Sequence, residues 1–190
     1  MRLITIPMSH YCEKARWGLT RCGLDWQEEA HLQVFHYRAV RKLGLGDFVP
    51  ALVTPDAAIA DSTEILKYLD QYLPADQKLY PPKIRTEVEA LEDKFDEELG
   101  VETRRWVYFH WMTQPSQEVL KIACQGIPRW QKGVAPLLFP AMRMFLKKHL
   151  DISSVNVQQG MECVRQHFDD VAKQLSDGRP YLCGNQFTAA

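Results

Sequence analysis

Apolar and polar positions follow two rhythms along the chain, and the change comes near Leu79-Tyr80-Pro81-Pro82. Before it, Leu3, Ile4 and Ile6 form a short β-prone run that ends at Pro7. His10 to Cys22 favours a helix, with Gly23 where a C-terminal cap belongs. Trp26 to Val34 fits a second strand, and Arg38 to Leu43 a short helix stopped by Gly44 and Gly46. Between Val49 and Asp61 two brief apolar runs flank Thr54-Pro55-Asp56, the pattern of a tight hairpin. Ile65, Leu66, Leu69 and Leu73 then line one face of a helix whose cap candidates are Ser62 and Thr63. The order β-α-β-α-β-β-α predicts a small α/β domain.

After Pro74 and the Leu79–Pro82 stretch the pattern is helical throughout. Ile84, Val88, Leu91, Phe95 and Leu99 step by three or four, as do Met161, Val164, Phe168, Val171 and Leu175. Both stripes predict long amphipathic helices facing a core, with further helices over Gln117 to Gln125 and Pro136 to His149. The acidic residues between Glu87 and Glu98 read as a solvated helix face. The boundaries expected are an α/β domain over 1–76, a linker over 77–83 and an all-helical domain over 84–190.

Composition narrows this picture. The chain has 190 residues and a net charge of -1, so no overall field favours nucleic acid or an anionic membrane. Apolar runs are far shorter than a membrane span, and no signal peptide precedes Arg2. Five cysteines (Cys12, Cys22, Cys124, Cys163 and Cys183) make an odd count without metal-type clustering. That fits reduced thiols better than a disulfide framework. The expectation is a soluble cytoplasmic protein that binds no metal.

The candidate chemistry sits at element ends. Ser9 falls at the junction of the first strand and helix, where a hydroxyl caps free N–H groups and the helix dipole favours an anion. Cys12, one turn further in, reads either as a small buried hydrophobe or as a thiolate able to form a mixed disulfide. Val49-Pro50 precedes a short strand, and a cis bond there would turn the Val49 backbone outward toward a peptide-like ligand. Asp61-Ser62 opens the next helix, either as a cap or as a binding point for a ligand's charged end.

Taken in order, Ser9-His10-Tyr11-Cys12-Glu13-Lys14-Ala15-Arg16, Val49-Pro50-Ala51-Leu52, Asp61-Ser62-Thr63-Glu64-Ile65 and the Leu79-Tyr80-Pro81 linker resemble the glutathione transferase family. The terminal Tyr181 to Ala190 segment is similar to that family's closing motif. The resemblance implies an α/β thioredoxin-like N-terminal domain followed by an all-α helical-bundle C-terminal domain. It also implies a homodimer engaged in detoxification, with glutathione as co-substrate and no cofactor. Ser9 matches the residue that contacts the glutathione sulfur. Val49 matches the one whose backbone pairs with the cysteinyl part, Pro50 the cis-proline, and Asp61 and Ser62 the pair that holds the γ-glutamyl end.

Two departures stand out. Asp47 and Phe48 replace the basic residue that usually meets the glycine carboxylate, leaving His36, Arg38, Arg41 or Lys42 to substitute, with His36 preferred. His10 follows Ser9 where many members have proline. On the first helix of the second domain, Arg105, Tyr108 and Trp111 are assigned to the pocket for a small hydrophobic electrophile, against the alternative of ordinary core packing. The chain stops at Thr188-Ala189-Ala190, where the family continues with an aspartate and another helix. A missing helix would leave part of that core uncovered.

The implied activity is transfer of glutathione to an electrophilic carbon, with reduction of organic hydroperoxides as a related one. Ser9 would act as thiolate stabiliser. Two alternatives remain. One is a thiol transferase or dehydroascorbate reductase acting through Cys12; the other is a non-enzymatic interaction module of the same fold.

Overall fold

The computed structural model describes residues 1–114 and 116–190. Its first part follows the expected order: β1 (Arg2–Thr5), α1 (His10–Arg21), β2 (Gln27–Ala30), α2 (His36–Arg41), β3 (Ala51–Val53), β4 (Ala58–Ala60) and α3 (Ser62–Asp70). The strands form one sheet in the order β2-β1-β3-β4. β1 and β2 are parallel, while β3 runs antiparallel to both β1 and β4. This is the mixed sheet of a thioredoxin-like domain.

Alternation along β1 divides the core. Leu3 points to one face, where it meets Ala15 and Leu19 of α1, Leu52, and Ile65 and Leu69 of α3. Ile4 points to the other, against Ala51 and Val40 of α2. Ser9 starts α1 with extended backbone angles (φ −95°, ψ 119°), and its hydroxyl accepts from the Cys12 N–H at 3.2 Å. Gly18 lets α1 approach α3, since a Cβ there would sit 2.4 Å from Leu66 Cδ2 and 3.1 Å from Leu69 Cδ1. The two helices are also tied near their starts, where Lys14 Nζ donates to Thr63 Oγ1 at 3.0 Å.

The rest is helical: α4 (Arg85–Lys94), a π-helical turn (Phe95–Leu99), α5 (Gly100–Thr113), α6 (Ser116–Ala123), α7 (Arg129–His149) and α8 (Ser154–Leu175). The chain falls into two compact units that differ from the expected division. The first joins Met1–Leu69 with Gln114–Arg143; the second joins Asp70–Thr113 with Met144–Ala190. The reason is a shared apolar cluster in which Ala30 and Leu32, at and after the end of β2, pack with Ile127, Ala135 and Met142. Pro136 was expected to open a helix, yet α7 begins at Arg129 and carries Pro136 and Pro140 inside it. The helical start is supplied by Pro128, whose carbonyl accepts from the Lys132 N–H at 3.1 Å.

In the second unit, Tyr108, Leu146 and Ile152 form a core that Trp111 also packs against. The segment after α8 is fastened to the stretch before α4. The Ala189 N–H donates to the Leu79 carbonyl at 3.0 Å, and Gln186 Nε2 donates to the Lys78 carbonyl at 3.1 Å. Nearby, the Tyr80 hydroxyl donates to the Glu92 carboxylate, 2.7 and 2.9 Å from its two oxygens. Both side chains are buried. Burial first, then the Glu92 charge, push the phenol above its ordinary range. Tyr80→Phe removes the donor and leaves the carboxylate enclosed. It should cost about 1–3 kcal/mol, read as a lower urea midpoint with an unchanged slope.

Candidate active site

The strand registers bring three separated segments to one edge of the sheet. Ile4 pairs with Ala51, and Ala51 with Ala60. The next position on each strand is therefore Thr5, Pro50 and Asp61, a row that spans about 10 Å at ordinary strand spacing. Ser9 follows Thr5 by four residues, and Ser62 follows Asp61 directly. Both α1 and α3 thus begin at this end, presenting the positive ends of two helices.

Ser9 is half-buried, whereas Cys12 lies sealed below it at 0% exposure. Burial pushes the Cys12 thiol up, against smaller opposing effects of the Ser9 hydroxyl and the Ile6 backbone. The Val49-Pro50 bond is cis. Because β3 begins at Ala51, the Val49 main chain stands outside the ladder, and its side chain is only half-buried. Asp61 is exposed in a left-handed conformation (φ 76°), and its Oδ1 accepts from the N–H of Thr63 at 2.8 Å and of Glu64 at 3.3 Å. Ser62 is buried at the helix start.

Other assigned residues are placed differently. His36 is 3% exposed, and its Nδ1 is enclosed without a hydrogen-bond partner among the described residues. Burial, the largest effect, lowers its pKa to about 4. At neutral pH it therefore offers no cation. Arg41 is engaged by Asp47, its Nη2 donating to Oδ2 at 2.8 Å. Arg38 and Lys42, one turn apart on and just after α2, are exposed. In the second unit Tyr108 is buried in the core, and Trp111 meets it edge-on at 5.2 Å. Arg105 Nε donates to the Leu150 carbonyl at 3.2 Å and pairs with Glu102. Tyr108 and Trp111 thus belong to this core, while Arg105 is held by Leu150 and Glu102.

A family model described as the glutathione S-transferase N-terminal domain matches residues 3–76. The chain carries a glutathione S-transferase N-terminal domain. Many solved structures share its fold. A glutathione S-transferase of Sinorhizobium meliloti is similar at 19% identity and a TM-score of 0.67, covering 99% of this chain and 72% of that one. Glutathione transferase F2 of Populus trichocarpa matches at 16% identity and a TM-score of 0.66, with coverage of 99% and 75%. A glutathione S-transferase of Ceriporiopsis subvermispora, solved in complex with glutathione, matches at 17% identity and 0.61, with coverage of 99% and 79%. No curated protein matches the chain. No helix among the described residues is long and apolar enough to cross a membrane.

The sheet-bearing unit also carries a feature that sequence reasoning missed. A groove of about 1040 Å³ runs along α2 and β2, lined by Arg2, Arg38, Lys42, Phe35, Tyr37 and Trp130 among others. Its far wall is held by Gln131, 1% exposed, whose Oε1 accepts from the Leu32 N–H at 2.7 Å. Gln131 Nε2 lies 3.0 Å from His31 Nδ1, and His31 Nε2 lies 2.8 Å from Glu29. This chain of contacts fits the tautomer of His31 with its proton on Nε2. The partners Gln131 and His31 are 100 positions apart, so no local pattern could have paired them.

The buried His36 makes the transferase domain sensitive to acid. Below the ordinary histidine pKa of 6.5 the unfolded chain takes up a proton that the folded ring refuses until pH falls to about 4. Stability is therefore lost as pH falls through this window, by up to about 1.4 kcal/mol per pH unit, and levels below it. His36→Gln should flatten this part of the curve when urea midpoints are compared at pH 7, 5.5 and 4.5.

Proposed function

We propose that the chain is a glutathione transferase in which Ser9 activates the thiol of bound glutathione. The observation that carries this reading is the contrast at the start of α1, where Ser9 stands half-buried and Cys12 is sealed beneath it with its thiol held up. A ligand thiolate beside Ser9 would receive a hydroxyl hydrogen bond together with the positive end of α1. Together these lower a thiol pKa by about one to two units, or about 1.4–2.7 kcal/mol. The sulfur then attacks an electrophilic carbon, the leaving group departs with the electron pair, and glutathione keeps the new carbon–sulfur bond. Serine cannot form a mixed disulfide, so conjugation, with hydroperoxide reduction as a related activity, is favoured over thiol transfer through Cys12.

The row Thr5–Pro50–Asp61 supports an extended tripeptide lying across the sheet end. Val49 would pair with its cysteinyl main chain, and Asp61 with Ser62 would hold the γ-glutamyl end. The glycine carboxylate would fall to Arg38 or Lys42 in place of His36, since they are exposed cations and His36 is enclosed and neutral. The electrophile is taken to be small and apolar. A homodimer working in the cytoplasm and a part in detoxification belong to the same reading.

Conjugation of glutathione to a chloronitrobenzene tests it. Ser9→Ala should lower kcat/KM about 10- to 100-fold, the range that one to two pKa units imply. Cys12→Ala should leave it within about threefold, since a 0% exposed thiol takes no part. Loss of activity in the cysteine variant alone would shift the chemistry to thiol transfer. Failure of the wild type to bind glutathione at all would favour the interaction-module reading.

A further inference from the structure

The second unit contains a cluster that the transferase reading leaves unused. Glu98 on the π-helical turn faces Cys163 and His167, which are one turn apart on α8. One ligand atom from each lies within 4.8 Å of the others. His167 is 4% exposed; its Nε2 stands 3.1 Å from Glu98 Oε2, and its Nδ1 is enclosed with no hydrogen-bond partner among the described residues. A buried polar atom without a partner is uncommon and calls for a reason. The turn itself is also uncommon, because single π turns inside helices gather at functional positions.

We propose that Glu98, Cys163 and His167 form a binding site for a divalent transition-metal ion, with Zn²⁺ the best match. The donor set decides the ion. Thiolate with imidazole excludes Mg²⁺ and Ca²⁺, which take oxygen ligands, while one sulfur, one nitrogen and one oxygen suit Zn²⁺ in four-coordination with a water in the fourth place. Charge balances as well: a thiolate and a carboxylate neutralise a dication. The surroundings add a further carboxylate, Glu102, close to the same face of α8. Glu102 reaches this face of α8 because Gly160 has no Cβ; one built there would lie 2.0 Å from Glu102 Oε2.

The cluster is more open than a filled site. Ligand atoms around a tetrahedral Zn²⁺ with bonds of about 2.0–2.3 Å stand roughly 3.3–3.7 Å apart. His167 Nε2 and Glu98 Oε2 are already this close, at 3.1 Å, so only the separations to the Cys163 sulfur have to close, by at most about 1 Å. The Glu98 side chain is 52% exposed and can follow the sulfur. The ion displaces at most one hydrogen bond of His167, because its other ring nitrogen has none. Binding here involves none of the residues placed at the sheet edge, so it stands or falls apart from glutathione chemistry.

The test is titration of metal-free, reduced protein with Co²⁺, without glutathione, whose own thiol would compete. One equivalent should bind with a thiolate-to-cobalt charge-transfer band in the near ultraviolet and strong tetrahedral bands in the visible, all erased by Zn²⁺ and untouched by Mg²⁺. Cys163→Ser should abolish the charge-transfer band, with far-ultraviolet circular dichroism confirming an unchanged helical fold. Glu98→Gln, at an exposed position, should weaken binding by about 10-fold or more, the scale set by metal-site partners. A double variant, Cys22→Ser with Cys124→Ser, should keep the band. No band in the wild type, a band that survives Cys163→Ser, or one lost with Cys22 and Cys124 would overturn the proposal.

Discussion

The approach of α1 to α3 across one face of the sheet is the constraint on which the candidate site depends. Gly18 permits it, since any Cβ would run into Leu66 and Leu69, both almost fully buried. Lys14 and Thr63 fasten the same pair nearer their starts. With both helices on the face defined by Leu3 and Leu52, their N-termini are held at the sheet end where β1 finishes and β3 begins. Two helix starts, capped by Ser9 and Asp61, and their positive dipole ends then lie along one edge. Neither helix alone makes a binding site. The shared edge is what makes an anionic, extended ligand a reasonable occupant.

Burial separates the two residues that the sequence left in competition. Ser9 and Cys12 are three apart, so on a helix they share a side, and either could have faced a ligand. Ser9 is the cap, outside the helical backbone and half-buried; Cys12 belongs to the first turn and points into the core. The desolvation that makes Cys12 a good core residue also opposes the thiolate that nucleophilic sulfur chemistry needs. Core packing and reactivity therefore oppose each other at this position, which is the ground on which the proposed role falls to Ser9.

What was legible in the sequence is what local pattern determines. Strand-length apolar runs, the Thr54-Pro55-Asp56 turn and the stripe from Ile65 to Leu69 gave the order of elements in the first domain, and the order of motifs gave the family. What was not legible depends on contacts between distant positions. Pro136 looked like a helix start because proline favours the first turn, and only the cluster of Ile127, Ala135 and Met142 with Ala30 and Leu32 shows why the helix extends back to Arg129. His36 carried the right chemistry at the right place in the chain, yet burial removes its charge. The cysteine count showed no metal-type clustering, because Cys163 meets a histidine on its own helix and a glutamate 65 positions earlier. Residue types were visible there; their meeting was not.

The joining of α6 and the first part of α7 to the sheet-bearing unit follows from the exposed flank of β2. An edge strand presents backbone groups that must be covered or solvated. Here Leu32, just past the strand, is 1% exposed, so its N–H cannot turn to water. Gln131 supplies the acceptor at 2.7 Å and is itself almost fully buried, which is affordable only because its amide also meets His31. One polar side chain thus lets an apolar helix surface sit on the end of an edge strand without orphaning its backbone. The same contact fixes the β2–α2 connection that leads into α2, the helix that carries Arg38 and ends at Lys42, so the helical segment that closes the sheet edge also bears on the cations proposed to meet the ligand's carboxylate.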